Sequence, residues 1–232
     1  MNLKGFITEK FQLTLKYHKT LNPKLWTLGA TLQVGIRELL LTQALEFCTF
    51  SGISQDRIVD IVMTGGNTNY NYTKFSDIDV HILVDRMDAS KDFLFDRKRQ
   101  WSDMKKDFTI EHYPVEFYIQ NDHEHIPEGQ GVFSLSSNRW KVLPTHLKTV
   151  DILSDPKVLL KIEQYTHYIK THLLRVGTRE EITTFKERLH NMRQAGLERA
   201  GEFSFENVLY KELRNRQLVQ RLNDRLQQIE PL

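Results

Sequence analysis

Only one cysteine, Cys48, occurs in the 232 residues, so no internal disulfide can form. It sits in the apolar run Leu45-Glu46-Phe47-Cys48 and is expected to be a small buried hydrophobe, not a nucleophile. No segment approaches the roughly 20 apolar residues a membrane span needs, which argues against a membrane protein. The first ten residues lack the continuous apolar stretch and small-residue cleavage site of a secretory signal, so a cytoplasmic protein is the expectation. An excess of one charge sign is lacking too: 32 basic and 30 acidic residues leave a net charge of +2, which argues against a bulk electrostatic binder of nucleic acid. No internal repeat or low-complexity tract occurs. What remains is ordinary globular material, with 40% apolar and 27% charged residues, enough for one or two domains.

The charge is unevenly spread. Residues 51–160 hold 17 acidic and 13 basic side chains, whereas the segments on either side are basic. An acidic centre between basic flanks suits a cation site whose anionic ligand is gripped from outside, although solvated surface charge gives the same sums. Apolar residues at three-and-four spacing predict a helix over 34–47, stopped near Ser51-Gly52. The β-branched run 57–64 reads as a buried strand entering a tight turn at Gly65-Gly66. Residues 77–84 alternate and then become wholly apolar, a strand with one wet end. A charged helix is expected over 92–107, and a third strand over 115–119 with Pro114 at its entrance. Residues 121–131 read as a loop, and a short strand is expected around Trp140. Helices are expected over 157–174, 179–196 and 204–229, the last starting at Ser204. This is an α/β (α+β) chain: a small mixed sheet flanked by helices in residues 1–150, with an N-terminal helical segment, and a helical region over 151–232.

The chemistry concentrates on the second strand. Alternate side chains of a strand share a face, so Asp77, Asp79 and His81 are expected together, opposite Ile78, Val80 and Ile82. Two carboxylates so close repel unless a cation neutralises them, and hard oxygen ligands at this spacing suit Mg²⁺ or Mn²⁺ with substrate phosphates. Glu116, flanked by Val115 and Phe117, is a carboxylate in an apolar strand and wants a cation or a proton. If its strand lies beside the second, Glu116 completes a three-carboxylate cluster able to hold two ions about 3.5 to 4 Å apart. Glu111 is the alternative acid. Upstream, Gly65 and Gly66 permit a tight turn that can approach phosphate, with Asn67 beside them. Tyr70, Tyr72 and Lys74 in the following loop can stack a base and neutralise phosphate, or serve as plain packing residues.

A strand, Gly-Gly, about ten residues, Ser76-Asp77-Ile78-Asp79-Val80-His81 and a later strand with a lone Glu resemble the DNA polymerase beta-type nucleotidyltransferase superfamily, over roughly residues 57–120. The segments Leu21-Asn22-Pro23-Lys24-Leu25-Trp26, Thr64 to Thr73 and Gly201 to Asn207 are similar to predicted nucleotidyltransferases of bacteriophages. The resemblance implies two divalent ions on Asp77, Asp79 and Glu116. It also implies a nucleoside triphosphate at Gly65, Gly66, Asn67, Tyr70, Tyr72, Lys74 and Ser76, and transfer of its nucleoside monophosphate to a hydroxyl of RNA, protein or a small molecule. Gly66 stands where the family usually has Ser, with Thr64, Asn67 or Thr68 as substitutes. A catalytically silent nucleotide-binding or structural phage protein is the alternative, and a toxin or defence module with another acceptor a third reading. The cluster His112, His123 and His125 with Glu111 and Glu124 lacks the spacing of a zinc site. The basic residues Lys211, Arg214, Arg216, Arg221 and Arg225 read as a solvated helix face.

Overall fold

The computed structural model describes residues 13–85, 89–124, 130–145 and 154–229. The N-terminal residues 1–12, the domain boundary expected at 150, His125 and residues 125–129 of the 121–131 loop lie outside them. The chain divides into two compact units, Tyr17–His146 and the residues on either side of it.

The first unit is an α+β layer pair. Helix α1 (Val34–Phe50) forms because its apolar residues recur along one side, and Leu40, Ala44, Phe47 and Cys48 are buried there. Burial pushes the Cys48 thiol up to about 11, so it packs as a hydrophobe, as expected. The strands are β1 (Ile58–Thr64), β2 (Ile78–Val84), β3 (Thr109–Ile110), β4 (Tyr113–Asn121), β5 (Val132–Ser134) and β6 (Arg139–Val142). They form one mixed sheet in the order β3-β4-β2-β1-β5-β6. The central strand β2 runs antiparallel to β1 and parallel to β4, and the parallel link is made through α2 (Lys91–Met104), which Ser90 caps by accepting from the Phe93 amide. Ile61, Met63, Ile78, Val80, Ile82, Phe117 and Ile119 face the helices and join Leu40, Phe47, Leu94 and Trp101 in one core. Each such side chain, fully buried, contributes about 1.5–3 kcal/mol. The strand period therefore turns Thr64, Asp79, His81, Glu116, Tyr118 and Gln120 to the opposite face.

The sheet differs from the sequence-based expectation at its edges. Strand β3 has only two residues, too short for any periodicity, and the strand expected around Trp140 is a hairpin, β5–β6. Pro114 lies inside β4, paired with Thr109, and β3 reaches no further along β4 than Tyr113 and Pro114.

The second unit holds α3 (Pro156–Tyr168), α4 (Arg179–Ala200), α5 (Phe205–Asn215) and α6 (Leu218–Gln228), around Ile162, Leu173, Ile182, Leu209, Leu213 and Leu222. After α3 the backbone continues as a π-turn, Ile169–Leu173. Thr178 and Glu181 form a reciprocal capping box at the start of α4. The single helix expected over 204–229 is two, because Gln217 takes the left-handed conformation at φ 59° and interrupts the ladder. Leu13 and Leu15 pack into this unit, and the buried Glu212 carboxylate accepts from the Thr14 and Leu15 amides. None of the described helices is long and apolar enough to cross a membrane.

Candidate active site

The turn after β1 is built around a position only glycine fills. Gly65 has φ 81° and ψ −162°, a region closed to side chains, and a Cβ there would stand 2.0 Å from the Asp79 Oδ2. The Asp79 carboxylate therefore lies against the turn itself. Three side chains hold the loop in place. The Thr68 hydroxyl lies 2.9 Å from both the Gly65 and Gly131 carbonyls, and Asn69 donates to the Gly65 carbonyl while accepting from the Gly131 amide. Asn67 is fully buried: it accepts from Asn22, takes the Trp26 indole N–H on its carbonyl, and donates at 2.9 Å to the carbonyl of Asp77. The Asn67 side chain thus fixes the backbone of Asp77.

Gly66 has no hydroxyl, yet a hydroxyl stands next to it. A Cβ at Gly66 would lie 3.0 Å from the Ser76 Oγ, which is buried and accepts from the Thr73 amide at 2.9 Å. Asp77 immediately precedes β2 instead of lying within it, so of the expected trio Asp79 and His81 belong to the strand itself. In the sheet Asp79 is the register partner of Thr64 on one side and of Glu116 on the other. Glu111 is exposed in the β3–β4 turn at φ 52°, so Glu116, not Glu111, joins the row.

Glu116 is held from two directions. Lys98 Nζ lies 2.7 Å from its Oε2, and the Tyr118 hydroxyl donates to the same oxygen at 2.6 Å. Lys98 also sits 3.7 Å above the centre of the Tyr118 ring. Burial first, then the negative charges of Asp79, Glu116 and Asp77, push the Tyr118 phenol far above its usual range, so it donates at neutral pH. All three carboxylates therefore act on one phenol. Among the described residues no three His, Cys, Asp or Glu side chains form a group placed to hold a metal ion. The residues whose chemistry fits a hard divalent cation are Asp77 and Asp79, all-oxygen donors next to a turn without side chains.

His81 stacks on Tyr118 with centroids 4.7 Å apart and bonds to Gln120. Burial holds its imidazole neutral, below its usual pKa of 6.5. The unfolded chain then takes the proton first, so stability rises with pH up to about 6.5 and is level above. Thermal unfolding between about pH 5 and about pH 7.5 is expected to show this slope, and His81→Gln to flatten it.

The aromatic loop is mostly committed to structure. Tyr72 stacks on His18 at 3.9 Å and its carbonyl bonds the His18 ring. The Tyr70 carbonyl accepts from the His18 amide, and its ring borders a cavity of about 480 Å³ with Lys19, Trp26 and Gln33. Lys74 is exposed over the Phe75 ring. The polar residues that sequence reasoning missed are Lys98, Tyr118, Asn22 and Asn69, and Thr68, expected as a stand-in for the missing Ser, binds the Gly65 and Gly131 carbonyls instead. Only Tyr118 carried a signal, since it shares strand parity with Glu116.

No protein-family model matches the chain, and no curated protein does. Among solved structures it is similar to the STING-associated CdnE c-di-GMP synthase from Capnocytophaga granulosa, at 10% identity and a TM-score of 0.21 over 86% of this chain and 83% of that one. A likeness at that score carries no argument.

Proposed function

We propose that this chain transfers a nucleoside monophosphate from a nucleoside triphosphate to a hydroxyl acceptor, with a divalent ion, Mg²⁺ or Mn²⁺, on Asp77 and Asp79. The observation that carries the reading is the position of Asp79, set against the Gly65 turn and in register with Glu116. A divalent ion bound there would neutralise the triphosphate next to these carboxylates. In the transfer the acceptor oxygen bonds to the α-phosphorus, the bond from that phosphorus to the bridging oxygen breaks, and pyrophosphate leaves with the electron pair. The hydroxyl proton passes to a carboxylate of the row and then to water. The Gly65 turn gives the phosphates close access to the backbone.

In this reading Ser76 does the work of the hydroxyl that Gly66 lacks, by donating to a phosphate oxygen. A hydrogen bond to a charged group contributes about 1.5–3 kcal/mol, so Ser76→Ala is expected to weaken triphosphate binding by roughly 10- to 100-fold. Equilibrium titration with Mg²⁺ present measures it.

The acceptor class, whether RNA, protein or a small molecule, is found by incubating the protein with each α-labelled triphosphate and Mg²⁺ or Mn²⁺, with and without cellular RNA and protein. Label passing to one fraction supports transfer. Absence of any divalent-dependent triphosphate binding overturns the reading. A second reading, nucleotide binding without transfer, is favoured by Lys98 and Tyr118 on the Glu116 carboxylate; it predicts triphosphate binding with no label transferred.

A further inference from the structure

We infer that the Lys98 ammonium takes the place of a second divalent ion beside Glu116, so that the site works with one bound ion where the resemblance implies two. This rests on the proposed nucleotidyltransferase reading and deepens it. A positive charge is already in position: Lys98 Nζ is 2.7 Å from Glu116 Oε2, and Tyr118 donates to that same oxygen. A second ion at Glu116 has to displace both donors, and it approaches a fixed positive charge of the same sign.

The arrangement is built into the fold. On α2, positions 94, 98 and 101 lie on one helix side, and Leu94 and Trp101 are buried in the core. Lys98, between them, is only 25% exposed. Its ammonium meets Glu116 and the Tyr118 ring on the stretch of β4 beyond the residues that β3 pairs. The Tyr118 ring under the ammonium, 3.7 Å away, fixes it further. A tethered cation acts at an effective concentration of order millimolar or more, whereas Mg²⁺ gives up its water reluctantly. The tethered charge therefore wins at Glu116, and the free ion is left to Asp77 and Asp79. Lysine also cannot exchange with the medium, so one of the two positive charges is permanent.

The test counts ions. Mn²⁺ is titrated into the full chain with a triphosphate whose α–β bridge is a methylene, and bound Mn²⁺ is read by electron paramagnetic resonance. The wild type is expected to hold a single ion per chain–analogue complex, the one shared between the analogue's phosphates and Asp77 and Asp79. Lys98→Met, which removes the fixed charge and leaves the neutral Tyr118 hydroxyl on Glu116, is expected to double that number, and Lys98→Arg, which keeps the charge, to leave it unchanged. Circular dichroism confirms that each variant is folded, and the arginine variant keeps the test decisive should the methionine variant unfold. Two ions in the wild type, or in the arginine variant, would overturn the inference while the nucleotidyltransferase reading stands. No Mn²⁺ taken up with the analogue in any form would overturn both.

Discussion

Gly65→Ala is expected to lower the melting temperature and abolish triphosphate binding in one step. Its backbone, at φ 81° and ψ −162°, occupies a region that is essentially glycine-only, and a side chain held there costs about 1–3 kcal/mol. For a chain of this size that is a fall of roughly 2 to 12 °C. The added methyl would also stand 2.0 Å from Asp79 Oδ2, so the carboxylate must swing away. Asp79 can rotate, which relieves the clash at the expense of the site. Gly66→Ala is the control, since Gly66 has no positive φ and a Cβ there meets Ser76 Oγ at 3.0 Å. It is expected to lose far less stability and, by shifting only the Ser76 hydroxyl, to weaken triphosphate binding no more than Ser76→Ala does. Differential scanning calorimetry and a binding titration on both variants check the pair.

Asp77→Asn/Asp79→Asn is expected to remove transfer while keeping the fold. The amides are nearly isosteric, so packing against the turn changes little, and a like-charge repulsion disappears. What goes is the negative charge that holds the divalent ion. Loss of a preorganised electrostatic contact costs about 10²- to 10³-fold in turnover, and losing both is expected to bring label transfer below that. An unchanged melting curve with label transfer gone supports the site; transfer that persists in a folded double variant rules these carboxylates out.

How much of this could be read from the sequence differs residue by residue. Asp79 and Glu116 stood out because a carboxylate in a β-branched or apolar strand breaks the pattern around it. Their register across β2 and β4 was not legible, because strand pairing depends on contacts distant in sequence. Asp77 was expected in the strand, and one residue of boundary places it just before Ile78. Asn67 looked like a phosphate contact, and its side chain turns inward to Asn22 and Asp77. Lys98 was hidden among Arg97, Lys98 and Arg99, three like charges in a row. Its spacing from Leu94 and Trp101 separates it from Arg99 but not from Arg97, which stands at the same three-and-four spacing. The break at Gln217 had no glycine or proline to announce it, so α5 and α6 read as one helix. The helical content and the two glycines at the turn were plain from periodicity and composition alone.

In the proposed function Asp77 and Asp79 bind a triphosphate through a divalent ion. Isothermal titration of the full chain with a triphosphate carrying a methylene α–β bridge, with Mg²⁺ and with excess chelator, tests it most directly. Binding is expected with Mg²⁺, none with chelator, and none in Asp77→Asn/Asp79→Asn under either condition. Equal binding with and without Mg²⁺, or binding undiminished in the double variant, would contradict it.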